Sequence, residues 1–124
     1  MISEEILEYH YGEIANKLDE MIPVEWKKIV MQAIDFGTSA TVYFYFYTKD
    51  DQAHNGSAIP NEYNVDQTIY NNFVSELIDI NSNFREEFVK ANIDPWESMT
   101  FILNEDWSFK VDFEYDINKE IGNF

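Results

Sequence analysis

The chain has 124 residues, of which 24 are acidic and 8 are basic, and its formal net charge is −16 at pH 7. Hydrophobic residues make up 45% and aromatic residues 17%, which favours one globular domain over residues 1–124 rather than a disordered acidic tail. Cysteine is absent and no run of about 18 apolar residues occurs, so thiolate chemistry, disulfides and a membrane span are excluded, while the negative charge disfavours direct nucleic-acid binding.

The first predicted element is a helix that starts after Ser3 and ends before Pro23. Ser3 is a suitable N-cap, and two glutamates follow it at the positive end of the helix dipole. We expect His10 to be a partly exposed side chain of this helix. Apolar residues recur at spacings of three and four, which places them on one helix face: Leu7, Tyr11, Ile14, Leu18 and Met21.

Two strands are predicted next, at residues 25–35 and 39–48, and a hairpin turn at residues 36–39 joins them. The second strand has the clearest alternation in the chain. One face carries Ala40, Val42, Phe44 and Phe46, and the other carries Thr41, Tyr43, Tyr45 and Tyr47. The segment from Lys49 to Gly56 is predicted to be a polar loop. Ser57 to Pro60 is predicted as a short edge strand, because proline is tolerated only at sheet edges.

A second helix is predicted from Asp66, its N-cap, to a stop marked by Asn92 and Pro95. Its apolar positions are Ile69, Phe73, Leu77, Ile80, Phe84 and Phe88. A hairpin follows, with strands at Thr100–Leu103 and Phe109–Tyr115 and a turn at Glu105–Ser108. In its second strand we expect Phe109, Val111, Phe113 and Tyr115 to face the core, and Lys110, Asp112, Glu114 and Asp116 to face outward.

The predicted order of elements is therefore helix, strands, helix, strands. Clean alternation in the strands indicates an antiparallel sheet with one covered face and one wet face. We accordingly predict an α+β fold, a two-layer sandwich in which two amphipathic helices cover one face of an antiparallel sheet of about four to five strands.

Catalytic and metal-binding patterns are weak. The serines lack the glycines of a nucleophile elbow, and the chain contains no P-loop and no dinucleotide-binding motif. Asp50, Asp51 and His54 could together hold a metal ion, but their loop has neither a calcium-loop pattern nor paired histidines. A solvated turn explains these residues better, so we expect neither a cofactor nor an enzyme.

The residues that remain as candidates for function lie on the surface. Tyrosine supplies rigid contact area, and carboxylates accept hydrogen bonds from arginine and steer cationic partners. Two interpretations stay open: the tyrosines and acids form a binding face, or the tyrosines shield the sheet beside a solvated acidic face. The candidate residues on the two outward strand faces are Tyr43, Tyr45, Tyr47, Asp112, Glu114 and Asp116.

The three tryptophans differ in their sequence context. We expect Trp26, just after Pro23, to pack between the first helix and the sheet, and Trp96 to fill the end of the sheet. Trp107 lies in the predicted hairpin turn with Glu105 and Asp106. It is therefore the tryptophan expected to be exposed, and the three turn residues join the candidate binding residues.

The order of several segments resembles that of the YezG/EsaG-like immunity proteins of Firmicutes. The opening signature of that family, a helix running into Met-Ile-Pro-x-x-Trp, is matched here by Tyr11, Ile14, Ala15, Met21, Ile22, Pro23 and Trp26. The middle segment of the family is matched by residues 59–65, and its closing segment by residues 92–96 and 110–115. The resemblance covers nearly the whole chain.

This resemblance implies an antitoxin. Such proteins bind tightly to a polymorphic toxin, typically a nuclease domain exported by a type VII-like secretion system, and are not enzymes. The implied partner is a basic toxin protein. Since the N-terminus lacks the basic and apolar regions of a signal peptide, the expected location is the cytoplasm. Two alternatives remain: a general protein-binding adaptor without a toxin, and a small metal-binding or enzymatic domain.

Overall fold

The structure, a computed structural model, describes residues 1–115; Asp116 and the residues after it lie outside the described part. Its elements in chain order are α1 (Glu4–Met21), β1 (Trp26–Asp35), β2 (Ala40–Thr48), β3 (Ala53–Asn55), a 3₁₀ turn (Gly56–Ala58), α2 (Ile59–Glu62), α3 (Gln67–Lys90), β4 (Ser98–Asn104) and β5 (Phe109–Glu114). The five strands form one antiparallel sheet in the order β3-β2-β1-β4-β5. The predicted α+β class is confirmed.

The two long helices begin where the sequence predicts. The Ser3 hydroxyl accepts a hydrogen bond from the N–H of Ile6 (3.2 Å), which caps α1. The carboxylate of Asp66 caps α3 by accepting hydrogen bonds from the N–H groups of Thr68 (2.9 Å) and Ile69 (3.1 Å). No helix within residues 1–115 combines the length and apolar composition that a membrane span requires.

Both long helices pack on the same face of the sheet. Alternate residues of the central strands point toward them and are fully buried, for example Ile29 and Met31 of β1 and Phe101 of β4. Tyr11 of α1 lies 5.2 Å from the ring of Phe84 of α3. Lys17 of α1 bridges to Glu76 of α3. These contacts give one core between a helix layer and a sheet, which confirms the two-layer prediction.

A buried carboxylate ties the β1–β2 turn to the helix layer. Asp35 is only 6% exposed, and its two oxygens accept hydrogen bonds from the Gly37 N–H (2.8 Å) and from the Ser82 hydroxyl of α3 (3.0 Å). Gly37 has a φ of 86°, a conformation that L side chains rarely adopt. The turn therefore depends on glycine and on a satisfied buried acid.

The region after β2 differs from the prediction. The third strand is Ala53–Asn55, inside the segment expected to be a loop, whereas Ser57 to Pro60 is helical and not a strand. A tight turn, in which the Thr48 N–H donates to the Gln52 carbonyl (3.0 Å), folds β3 back onto β2. Pro60 lies in the first turn of α2, where its missing N–H costs nothing.

His10 also differs from the prediction, because it is buried at 6% exposure and not partly exposed. Its ring packs 5.4 Å from the ring of Phe84, and Nε2 lies 3.7 Å from a carboxylate oxygen of Glu87. The spacing of His10 with Ile14 follows the apolar stripe of α1. The helix therefore turns the imidazole toward α3, whose position the sequence pattern of α1 does not reveal.

We predict opposite effects on stability for two glycine-to-alanine substitutions. A Cβ at Gly56 would lie 2.6–2.8 Å from the ring of Phe44, whereas a Cβ at Gly12, inside α1, meets no atom within 4 Å. Gly56→Ala should lower the free energy of unfolding by about 1–3 kcal/mol through overpacking. Gly12→Ala should raise it by about 0.5–1 kcal/mol through helix propensity. Urea unfolding measures both, and equal effects would contradict the packing of Gly56 against Phe44.

Candidate protein-binding face

The side of the sheet opposite the helices carries no covering element within residues 1–115, and we call it the open face. Strand register fixes its membership, since residues paired across neighbouring strands point to the same side. The side chains of the open face are Lys28, Val30, Gln32, Ile34, Thr41, Tyr43, Tyr45, Tyr47, Ala53, Asn55, Ser98, Thr100, Ile102, Asn104, Lys110, Asp112 and Glu114.

The three predicted tyrosines lie together on the open face along β2. Tyr43 is 58% exposed and Tyr45 is 42% exposed, while Tyr47 is half-buried. The rings of Tyr45 and Tyr47 meet edge to face at 5.8 Å. Next to them on β1 and β4, Val30 and Ile102 are half-buried. The result is an aromatic and aliphatic patch that water covers in the free chain, which is the composition of an interface core.

The predicted carboxylates lie on the same face but not beside the tyrosines. Tyr43 pairs with Gln32, which pairs with Thr100, which pairs with Asp112, so β1 and β4 separate the two groups. Three interstrand spacings put Tyr43 and Asp112 roughly 14 Å apart. Glu114 is exposed one pair further along β5. Asp116, the third predicted carboxylate, lies outside the described residues.

The open face is close to neutral. Its charged side chains within the described residues are Lys28, Lys110, Asp112 and Glu114, and the ammonium of Lys110 lies 3.8 Å from Asp112. Ten of the 24 acidic residues lie on the two long helices. There α1 carries six acidic residues and one basic residue, and α3 carries four and two. An uncharged contact core with charge outside it resembles the arrangement of protein interfaces.

The predicted turn residues Glu105, Asp106 and Trp107 lie at the end of the sheet nearest Tyr47. Glu105 bridges to Lys49 of the neighbouring β2–β3 turn. Asp106 accepts hydrogen bonds from the N–H (3.0 Å) and hydroxyl (2.6 Å) of Ser108, and these bonds lower the pKa of its carboxyl. This turn forms a charged rim beside the tyrosines.

Exposure separates the tryptophans as expected. Trp107 is 45% exposed, whereas Trp26 and Trp96 are 7% and 0% exposed. Trp26 donates from Nε1 to Asp19 of α1 (2.9 Å), and its ring lies 6.0 Å from that of Trp107. Trp107 has a φ of 68°, held by the hydrogen bond from its N–H to the Asn104 carbonyl (2.8 Å). The turn therefore presents an indole ring at a defined place.

A surface groove that the sequence pattern did not predict adjoins the tyrosines. It wraps around the edge of β2, has a volume of about 760 Å³, and we call it the edge groove. Its walls include Val42 and Phe44 of β2, Tyr70 and Asn71 of α3, and Tyr45 on the open face. The predicted apolar positions of the second helix do not line this groove, and the sequence gives no signal of it, because the groove exists only once α3 lies over β2.

The alternative metal-binding residues have other partners. His54 donates from Nδ1 to a carboxylate oxygen of Glu62 (2.9 Å), and its Nε2 lies 3.2 Å from the Thr48 hydroxyl. Asp51 bridges to Lys27 (2.6 Å), and Asp50 bonds to the Thr48 hydroxyl. Within the described chain, no group of three or more histidine and acidic side chains has the geometry to hold a metal ion.

Comparison with known proteins identifies the class of this open-faced α+β domain. The family model described as "Immunity protein YezG-like" matches residues 7–123. The chain therefore belongs to the YezG-like immunity proteins, and the resemblance described from the sequence is confirmed.

Individual relatives agree with this assignment. The chain is 34% identical over 125 residues to the type VII secretion system protein EsaG of Staphylococcus aureus (strain NCTC 8325 / PS 47), covering 98% of this chain and 77% of EsaG. It is also 34% identical to the immunity protein YezG of Bacillus spizizenii and to that of Bacillus subtilis. Each match covers 86% of this chain, and 66% and 71% of the respective relatives.

Stability should fall at alkaline pH because of Tyr70 in the edge groove. Burial raises the pKa of its phenol to about 12, above the value of about 10 in an unfolded chain. The unfolded state therefore ionises first, so the contribution of this residue is complete below pH 10 and declines toward pH 12. Tyr70→Phe should show a shallower fall of unfolding free energy between pH 9 and 11. Parallel curves for the two proteins would contradict this prediction.

Proposed function

We propose that this protein is a cytoplasmic antitoxin that binds and neutralises a nuclease toxin domain. Membership of the immunity-protein family supports a toxin as the partner. The single observation that carries the binding mode is the tyrosine-bearing open face, which no element within residues 1–115 covers. In this proposal the protein acts by stoichiometric binding, and it needs neither a cofactor nor a chemical step.

The nature of the toxin follows from the charge of this chain. A nuclease must hold a polyanion, so its substrate cleft is rich in lysine and arginine. A chain of net charge −16 attracts such a cleft over long range and repels the DNA that competes for it. The carboxylates at the margins of the open face, Asp112, Glu114 and the rim residues Glu105 and Asp106, provide the local part of this attraction, and the net charge of the whole chain adds to it at longer range.

The contacts themselves require a different surface from the steering charge. Tyr43, Tyr45 and Tyr47 offer rigid amphipathic area with few rotatable bonds, which is the chemistry of interface hot spots. Asp112 and Glu114 at the far side of the same face can accept bidentate hydrogen bonds from arginine. We therefore place the tyrosines at the centre of the interface and the carboxylates at its rim.

The direct test is a DNA-cleavage assay with the cognate toxin domain, identified as the polypeptide that co-purifies with this protein from its native strain. An equimolar amount of this protein should abolish cleavage, and the two proteins should co-elute as one complex. Undiminished cleavage at excess protein would overturn the proposal. If the complex forms but the toxin activity that it blocks acts on a substrate other than DNA, the toxin is not a DNase.

The same assay tests the open face. Tyr45→Ala should weaken toxin binding by at least about 10-fold, or about 1.4 kcal/mol, because it removes a central aromatic contact. Tyr9→Ala is the matched control, since Tyr9 is 63% exposed but belongs to the helix layer. It should change the dissociation constant less than about twofold. Equal losses for both variants would argue against the open face as the contact surface.

Neutralising the carboxylates of β5 should slow association. We expect the double variant Asp112→Asn, Glu114→Gln to lower the association rate constant about two- to tenfold at low salt. The difference between the two rate constants should vanish near 0.5 M salt, where the Debye screening length falls to a few ångströms. The control is Glu8→Gln, Asp79→Asn, which removes equal charge from exposed positions of the helix layer. Stopped-flow kinetics measures both, and an identical loss in the control would indicate only a net-charge effect.

A further inference from the structure

The edge of β2 is only partly paired. β3 pairs with Tyr45, Phe46 and Tyr47, so within the described residues no strand pairs with the outer edge of β2 at residues 40–44. Natural proteins usually protect such an edge with a charge, a proline or a covering element. The sequence of this stretch, Ala-Thr-Val-Tyr-Phe, contains neither a charge nor a proline.

Backbone hydrogen bonds show which residues present free groups there. The Thr48 N–H donates to Gln52 on the β3 side, whereas Ser39 accepts from Phe36 on the β1 side. Because these directions alternate along a strand, even-numbered residues of β2 point their N–H and C=O groups toward the β3 side. Val42 and Phe44 therefore present two donors and two acceptors to the edge groove, about 7 Å apart.

The surroundings of these groups are uncharged. Among the described residues that line the edge groove none is charged, although 26% of the chain is. Val42, Phe44 and Val74 supply apolar surface, and Gln67 and Asn71 supply amides that bond to each other (2.9 Å). Regularly spaced backbone groups beside apolar surface are the recognition elements for an extended peptide, which adds as a further strand.

We infer that an uncharged, extended segment of the toxin adds to the sheet along Val42 and Phe44, in line with β3. This inference rests on the proposed function, since the toxin is the partner. The segment would continue from the edge groove onto the tyrosines of the open face, which adjoin it through Tyr43 and Tyr45. Main-chain hydrogen bonds would then supply part of the affinity, and the tyrosines the remaining contacts.

Hydrogen exchange of single amides tests the strand pairing directly. In ¹⁵N-labelled protein bound to a catalytically inactive toxin domain, the amides of Val42 and Phe44 should exchange at least about 10-fold more slowly than in the free protein. The amides of Val111 and Phe113 are the control, because they point outward at the other edge of the sheet, on β5. Slower amide exchange only at the β5 control residues, or unchanged amide exchange at Val42, would overturn the inference.

Substitution provides an independent test. Val42→Pro removes one outward N–H without touching the β1–β2 ladder, and Val111→Pro does the same on β5. Val42→Pro should weaken toxin binding by about 10-fold or more, and Val111→Pro by less than about twofold. Circular dichroism and urea unfolding check that each variant folds.

A second pair of variants covers the case in which proline disrupts the fold. Asn71→Trp fills the edge groove, whereas Asn72→Trp places the same ring at the next exposed position of α3, outside the groove. Only Asn71→Trp should weaken binding. If the unmodified protein fails to bind the toxin, the proposed function itself fails. If it binds and both Asn71→Trp and a folded Val42→Pro bind equally well, only the inference about the edge groove fails.

Discussion

Two helices cover one face of a five-stranded sheet, and the rest of the molecule follows from this unequal coverage. The buried face holds the core, so the alternate residues of each strand must be apolar on that side. The other face contributes little to the core and is available for a partner.

The distribution of charge is the second consequence of this architecture. Most acidic side chains of α1 and α3 are exposed to water, which weakens their mutual repulsion, whereas Asp19 accepts a hydrogen bond from Trp26 of β1. The ion pair between Lys17 and Glu76 joins the two helices where their acidic surfaces approach. The open face, by comparison, stays close to neutral.

Sequence patterns predicted the helices and the four longer strands because each depends on local periodicity and on its own caps. They did not predict β3, α2 or the burial of His10. β3 is three residues long and is a strand only because β2 lies beside it. His10 is buried because α3 packs across α1, a contact between elements far apart in the chain.

The candidate site was predictable to the same limited extent. Alternation indicates which residues share a strand face, so the exposed tyrosines of β2 were identifiable. Alternation does not give strand order, so the two strands that separate Tyr43 from Asp112 could not be foreseen, whereas Lys110 was expected on the same face as the acids. The edge groove needs both strand order and the position of α3, and only the assembled fold contains it.

The alternation along β2 also bears on how such proteins can diversify. Phe44 and Phe46 hold the core, whereas Tyr43, Tyr45 and Tyr47, interleaved with them, contribute little to it. On the proposed contact surface, mutations at these odd-numbered positions would change partner specificity without a large loss of stability. Immunity proteins that must bind a new toxin could then change the proposed contact residues one at a time and keep the same fold.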